Sequence, residues 1–363
     1  MNTWKNDKIS SIQLGLMISA FLYGSTIVVN PAGKAETDAW IAVLITIPFS
    51  LILINMYSSI SVKNTSKPLQ QILTDYFGKY LGNFLSLLYA WYFIHLSSLI
   101  MRNFGEFIDT ITYPETPISV IIVSNAIVTI YLVKSGIEAI GRVCELLVPI
   151  LIFTVVAISF SLITSHDIKN LLPVFSKGLG PILAASFSFL SFPFGETVVF
   201  LTIFPFHNSP NSTKKVSFIA TLVLGLILLY SIMRNLMILG GGLLYNINFP
   251  THLIAQLVPG ISLEPLADLN LFIGGGIKLA VCIFAASTLI VQVFNIDSKS
   301  SIITAVSVFS VVLSIWIYSN IFEMFKWAAS YWPYYSIIFQ IIIPLALYIL
   351  TKIKIKKNTE AIG

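Results

Sequence analysis

Residues 191–196 read Ser191, Phe192, Pro193, Phe194, Gly195 and Glu196, and they sit at the centre of an apolar run from 181 to 206. A proline inside a helix removes one backbone hydrogen bond and drives the preceding residue out of helical angles, while glycine offers no resistance to unwinding. The run is expected to divide into two half-helices of about 11 residues, each about 16 Å long. Bare amides and carbonyls at such a break are tolerated in lipid only where protein or a water-filled cavity satisfies them. The chemistry on offer is recognition of a small polar molecule by main chain. Glu196 falls in the first turn of the inner half-helix, where exposed amides favour an anion. It either receives the cationic group of a ligand or caps the half-helix. A plain kink at Pro193 is the simpler account of the same residues.

A second interruption, at Tyr23, Gly24, Ser25 and Thr26 with Pro31 close behind, falls in the apolar run from 10 to 30. Ionisable side chains within lipid cost at least about 2.5 kcal/mol and so mark a partner, a cavity or a function. At 100° per residue His95, Ser98, Arg102 and Glu106 fall within an arc of about 80°, one polar stripe on one helix. Arg102 and Glu106 are spaced to pair, and ion pair and ligand contact stand as equal readings. His95 is read as a packing residue, with a proton relay as the alternative. Lys278, about twelve residues into the run 266–295 and in line with Asn270, Gly274 and Cys282, either pairs with a carboxylate such as Glu196 or sheds its proton. A further reading has it stand in for a coupling cation. The candidate ligand-binding residues are therefore Gly24, Ser25, Thr26, Ser98, Phe192, Phe194, Gly195 and Glu196. Pro193, His95, Arg102, Glu106 and Lys278 are assigned structural or coupling roles. Arg234 is expected to anchor an outer loop, and Glu138, Arg142 and Glu145 to form an interfacial charge cluster.

The elements that must position these residues follow from composition. The chain has 363 residues, of which 56% are hydrophobic and 10% charged, with a mean hydropathy of +0.88. Soluble domains carry about 25% charged residues, so this chain is expected in lipid as an all-α integral membrane protein, and a nucleic-acid partner is excluded. Ten runs are long enough to span: 10–30, 39–62, 80–107, 117–134, 143–165, 181–206, 215–240, 266–295, 301–321 and 333–351. The first is too long for the core of a signal peptide and lacks a good cleavage site. With the N-terminus inside, the inner segments hold 14 Lys and Arg and the outer ones 4. Both termini are therefore expected in the cytoplasm. No HExxH, zinc-spaced cysteine pair or GxSxG elbow occurs, so neither an enzyme nor a cofactor or metal is expected.

The broken runs are the first and the sixth. Five is odd, so two five-helix halves, about 1–165 and 166–363 of a single membrane domain, would run in opposite senses. This is the inverted-repeat plan in which discontinuous helices meet at the midplane around a small-molecule site. The two halves share no evident residue-by-residue similarity.

The stretches Lys8 to Trp40 (KISSIQLGLMISAFLYGSTIVVNPAGKAETDAW) and Phe192 to Phe206 (FPFGETVVFLTIFPF) resemble the B subunit of the spore nutrient germinant receptors, the GerAB or GerB family, within the amino acid–polyamine–organocation superfamily. The resemblance implies a LeuT-like fold with ligand held between the broken first and sixth spans and spans three and eight. It matches Gly24, Ser25 and Thr26 to the small-residue interruption where amides hold a substrate carboxylate, with Thr26 in place of a glycine. Pro193, Phe194, Gly195 and Glu196 match the sixth-span break. It further implies a receptor in the spore inner membrane with A and C subunits as partners, sensing an amino acid, sugar or nucleoside. A secondary amino acid transporter and a passive scaffold are the competing readings.

Overall fold

A computed structural model describes residues 7–24, 26, 33–247 and 249–360; Ser25 and Pro31 lie outside the described residues. In chain order the helices are α1 (Ser11–Tyr23), α2 (Ala39–Lys63), α3 (Leu69–Phe77), α4 (Lys79–Ile111), α5 (Ile118–Lys134), α6 (Ile137–Ser161), α7 (Leu179–Phe189), α8 (Thr213–Asn246), α9 (Pro250–Gln256), α10 (Glu264–Phe294), α11 (Lys299–Trp316), α12 (Ile321–Ser330), α13 (Trp332–Ile337) and α14 (Ile343–Glu360). No strand occurs among the described residues, only an isolated bridge. Eight helical stretches are long and apolar enough to cross a membrane, and α1 and α5 are two shorter apolar helices. Each of the ten apolar runs thus carries helix, and the protein is a multi-pass membrane protein.

Local chemistry fixes the boundaries. α1 opens on a capping box: Gln13 N–H donates to Ser10 Oγ at 3.1 Å, and Ser10 N–H donates to Gln13 Oε1 at 2.9 Å, which satisfies two of the donors a helix start leaves bare. Pro68 and Pro117 precede α3 and α5, and Gly136 precedes α6 with φ 93°, a left-handed angle that suits glycine. The short α3 and α12 were not among the ten runs. Each buries one side only, which a search for continuous apolar stretches passes over.

The sixth span departs from two equal half-helices. Its first half is α7, 11 residues long, as expected. Phe192 then adopts extended angles (φ −146°, ψ 118°). The second half is a run of tight 3₁₀ turns, Gly195–Leu201 and Phe204–Phe206. Two threonine hydroxyls reinforce the turns by donating to carbonyls three residues back, Thr197 to Phe194 O at 2.6 Å and Thr202 to Val199 O at 2.7 Å. Pro205 withholds a donor that a longer α-helix would need.

α10 forms the axis of the bundle. Side chains from Ile277 to Leu289 are buried along its whole circumference, and it packs on α1, α4, α5, α6 and α11. The N-terminal segment, the turn after α2, the exit of the sixth span and the turn after α10 meet around one cavity at one end of the molecule. There Ile9 N–H donates to Phe206 O at 2.9 Å, and Asn208 N–H to Ile9 O at 3.0 Å. The buried His207 ring completes this clasp, with Nε2 3.0 Å from Ser11 Oγ and Nδ1 2.7 Å from Thr213 Oγ1. The strand-like contact ties the entry to α1 to the exit of the broken sixth span.

Burial pushes the His207 imidazole below its ordinary value near 6.5. The fold therefore favours the neutral ring, so the clasp's contribution is complete above that ordinary value and is lost as pH falls through the depressed folded value. In the purified chain, His207→Gln is expected to lower stability by about 1–2 kcal/mol near neutral pH and to flatten the loss of melting temperature on acidification to about pH 5. Thermal unfolding across that range checks it, and an unchanged acid slope counts against the clasp.

Candidate ligand-binding site

The end of α1 and the break in the sixth span face one another across α10. At Gly24 the α1 helix terminates with its N–H still donating to Ala20 O at 2.9 Å. Thr26 closes the turn, its N–H and its hydroxyl donating to Tyr23 O at 3.1 Å and 2.7 Å. A side chain at Gly24 would run into the backbone of Gly274, and one at Gly274 into Gly24. Backbone lies directly on backbone, the close approach that small residues permit between membrane helices.

One helical turn further along α10, Lys278 reaches the sixth-span break. Its Nζ pairs with Glu196 Oε2, the two side chains being 0% and 1% exposed. The same ammonium lies 4.9 Å from the ring centre of Phe21 on α1 and 4.7 Å from that of Phe192 at the break. A cation between two aromatic faces, away from water, is attracted to both. Lys278 thus holds both interrupted helices at once.

On its other side the break meets Gln340, which lies in a widened turn, Ile338–Ile342, of the last span. The Gln340 amide donates to Ser191 O and to Tyr92 Oη, both at 2.8 Å. A Cβ at Gly195 would collide with that side chain. Tyr57 Oη donates to Gln340 O at 2.6 Å and to Gly195 O at 3.4 Å. The carbonyls of Ser191 and Gly195 at the break are therefore met by side chains from the last span and from α2, as lipid burial demands, while Tyr92 of α4 accepts from the Gln340 amide. Phe194 is buried beneath them.

Of the residues singled out from sequence, the structure brings together Gly24, Phe192, Pro193, Gly195, Glu196 and Lys278, with Thr26 at the end of α1. It does not bring the α4 stripe to them. His95 faces Trp327, Trp332 and Tyr335. The Ser98 hydroxyl donates to His95 O at 2.7 Å within its own helix. Arg102 pairs with Glu106 at 2.7 Å and donates to the carbonyls of Ser314 and Ile315 on α11. The α4 face turned to Gly24 carries Ile100, Asn103 and Phe104 instead, around a cavity of about 10 Å³, room for about one water. Arg234 is buried and bonds Ser159 Oγ at 2.9 Å and Asn235 Oδ1. Sequence reading missed Tyr57, Tyr92, Asn103 and Gln340. The signal for Gln340 was present: a lone amide in an otherwise apolar span.

The sequence matches the family described as "Spore germination protein" over residues 8–322. The chain belongs to that family. It is 31% identical to spore germination protein KB of Bacillus subtilis (strain 168) over 98% of both chains, and 27% identical to spore germination protein B2 of the same organism over 57% of each. Three solved transporters share the fold. One is a Na⁺-coupled sialic acid symporter in a substrate-bound outward-open state (TM-score 0.70, 14% identity, 94% of this chain and 78% of that one). Another is Mhp1, a nucleobase-cation-symport-1 family transporter, closed with bromovinylhydantoin bound (0.68, 11%, 90% and 75%). The third is MhsT in complex with L-phenylalanine (0.60, 14%, 94% and 98%). The LeuT-like architecture that the family resemblance implied is thus the architecture of this family member.

Breaking a buried ion pair from one side leaves the other charge uncompensated, which costs about 3–5 kcal/mol, whereas removing both charges is far milder. Lys278→Met alone is accordingly expected to destabilise the purified chain by about that amount, and Lys278→Met with Glu196→Gln to recover most of it. Thermal unfolding of the four members of this cycle provides the check; additive losses would show that the two groups are not coupled.

Proposed function

We propose that this protein is the nutrient-sensing subunit of a spore germination receptor, and that it binds a small nutrient where the interrupted first and sixth spans face each other. The observation that carries the reading is the cluster at the breaks. Glu196, Phe192 and the end of α1 are all held by one cation, Lys278, on the helix at the centre of the bundle. Family membership supports the germination role, and the likeness to substrate-bound transporters supports the position of the site.

On this reading a nutrient competes with contacts the protein makes to itself. The ammonium of an amino acid, or a sugar hydroxyl, exchanges for Lys278 at Glu196, while amides near Gly24, Ser25 and Thr26 take a carboxylate or hydroxyl. Phe192 and Phe194 supply apolar surface, and Gly195 the closeness of main chain. A ligand shifts an equilibrium only by its difference in affinity for two states, and here that difference is between an occupied cluster and a self-paired one. The change passes to an A and a C subunit. The chain lies in the spore inner membrane with both termini in the cytoplasm, the side on which Lys and Arg are concentrated. His95, Arg102 and Glu106 position α4 against α11 and α12, and Pro193 maintains the break.

A second reading, secondary transport of amino acids, draws on the same likeness to symporters and to MhsT with L-phenylalanine bound. Uptake of labelled amino acid by the purified chain in liposomes separates the two, since a receptor that does not cycle accumulates none.

Phe192 is half-buried and covers the Lys278 ammonium, so Phe192→Leu perturbs the cluster at a core cost below about 1.5 kcal/mol. In spores with an unchanged amount of receptor in the membrane, it is expected to raise the nutrient concentration for half-maximal germination by about tenfold, equivalent to about 1.4 kcal/mol of binding. Unchanged dose dependence in both Phe192→Leu and Phe192→Ala spores would remove the site from the breaks.

A further inference from the structure

Two spans end side by side, α2 at Lys63 and the apolar part of the last span at Lys354. Their ends are stapled to each other and to α3. Asn64 Nδ2 donates to the buried Thr351 Oγ1 at 3.2 Å, and Tyr76 Oη on α3 donates to Asn64 Oδ1 at 2.9 Å. The residues beside this staple are cationic. The ammoniums of Lys63 and Lys352 lie 5.6 Å and 4.6 Å from the centre of one ring, Tyr348, and that of Lys354 lies 5.0 Å from the ring of Tyr76.

Two ammoniums drawn to the same phenol repel one another, and no carboxylate among the described residues pairs with either. Asp75, the acidic residue of α3, is taken by Lys67 at 2.7 Å. Lys63 and Lys352 are both exposed, so their charge is presented outward at the level where two spans leave the apolar layer. Exposed apolar surface leads up to it. At 100° per residue Leu345, Ile349, Lys352 and Ile353 fall within an arc of about 100° on α14. The three apolar side chains of that arc are 44%, 49% and 48% exposed, while Thr351 on the opposite side is fully buried.

We propose that the ends of α2 and α14 hold the headgroup of an anionic phospholipid, with Lys63 and Lys352 on its phosphate and an acyl chain along Leu345, Ile349 and Ile353. An ammonium carries three donors and no acceptor, and two of them at one ring call for an oxyanion. Attraction to the Tyr348 face, which persists at exposed sites, holds both lysines in place before the lipid arrives. The apolar stripe below them serves an acyl chain and has no use for a free phosphate. A choline headgroup brings its own cation, which the two lysines repel, so a headgroup of net negative charge is preferred. Lys354 lies about 200° around the helix from Lys352. It faces α3 through Tyr76 and stands apart from this headgroup, so it separates a built site from diffuse attraction of a basic tail to negative lipid.

The test uses the full-length chain purified in detergent and titrated with dioleoylphosphatidylglycerol or dioleoylphosphatidylcholine, bound lipid being counted by native mass spectrometry. Saturable binding of phosphatidylglycerol is expected, about tenfold tighter than that of phosphatidylcholine. Lys63→Gln and Lys352→Gln are each expected to weaken it about fivefold, Lys354→Gln less than about twofold, and Lys352→Arg, which keeps the charge, not at all. All four changes are at exposed positions, so melting temperatures without lipid are expected to match that of the parent chain. Equal losses from Lys352→Gln and Lys354→Gln would show diffuse attraction in place of a site. Equal binding of the two lipids, release of phosphatidylglycerol by inorganic phosphate, or a loss in Lys352→Arg as large as in Lys352→Gln would each overturn the proposal as well.

Discussion

An ammonium and a carboxylate, both without access to water, hold this bundle at its middle. Removing either ion from water costs several kcal/mol, and mutual attraction offsets that cost only when geometry and surrounding contacts are favourable. Lys278 meets the condition with Glu196 on one side and the faces of Phe21 and Phe192 beside it. The three partners come from α1, from the extended residue at the break and from the first 3₁₀ turn after it. Neither interrupted element can shift along α10 without exposing part of this cluster. The pair therefore contributes less as a source of stability than as a constraint on where the interruptions sit relative to each other.

That constraint works only because α1 lies close enough to α10, and the glycines at positions 24 and 274 provide the closeness. With any side chain at either site the helix axes would be forced apart, carrying Phe21 away from the lysine. The opposite wall is supplied by Gln340 and Tyr57, whose donors meet the carbonyls of Ser191, Gly195 and Gln340 itself, and by Tyr92, which accepts from the Gln340 amide. The polar chemistry needed to tolerate an open backbone in lipid is thus divided between a cation on the central helix and an amide on the last one.

The sequence announced the interruptions because Pro193, Gly195 and Gly24 act locally: a missing donor or a missing Cβ changes the chain at that residue. The Arg102–Glu106 pair was legible for the same reason, as one helical turn sets its spacing. What answers an interruption is not local. Gln340 lies 149 residues from the carbonyl it bonds, and nothing in an apolar run tells which neighbour its amide faces. The α4 stripe shows the same limit. His95, Ser98, Arg102 and Glu106 do share a side of the helix, but which partner that side meets depends on the rotation of α4 in the bundle, and packing turns it toward α11 and α12. The tight turns after Gly195 escaped for a third reason, since helix type is decided there by threonine hydroxyls and by contacts across the break.

A break filled by the protein's own groups bears on how such a site could signal. Were the carbonyls and the carboxylate solvated, an incoming ligand would displace water, and much of its binding energy would be independent of the arrangement of the helices. Here Lys278 and Gln340 already occupy those groups, so a ligand at the breaks would exchange one set of partners for another. Each exchanged contact belongs to a different helix: Lys278 to α10, Gln340 to the last span, Tyr57 to α2. Releasing them changes the restraint on those helices directly. On the proposed reading, affinity and conformational response therefore arise from the same few contacts, as a sensor requires, and translocation of the ligand is not needed to produce the response.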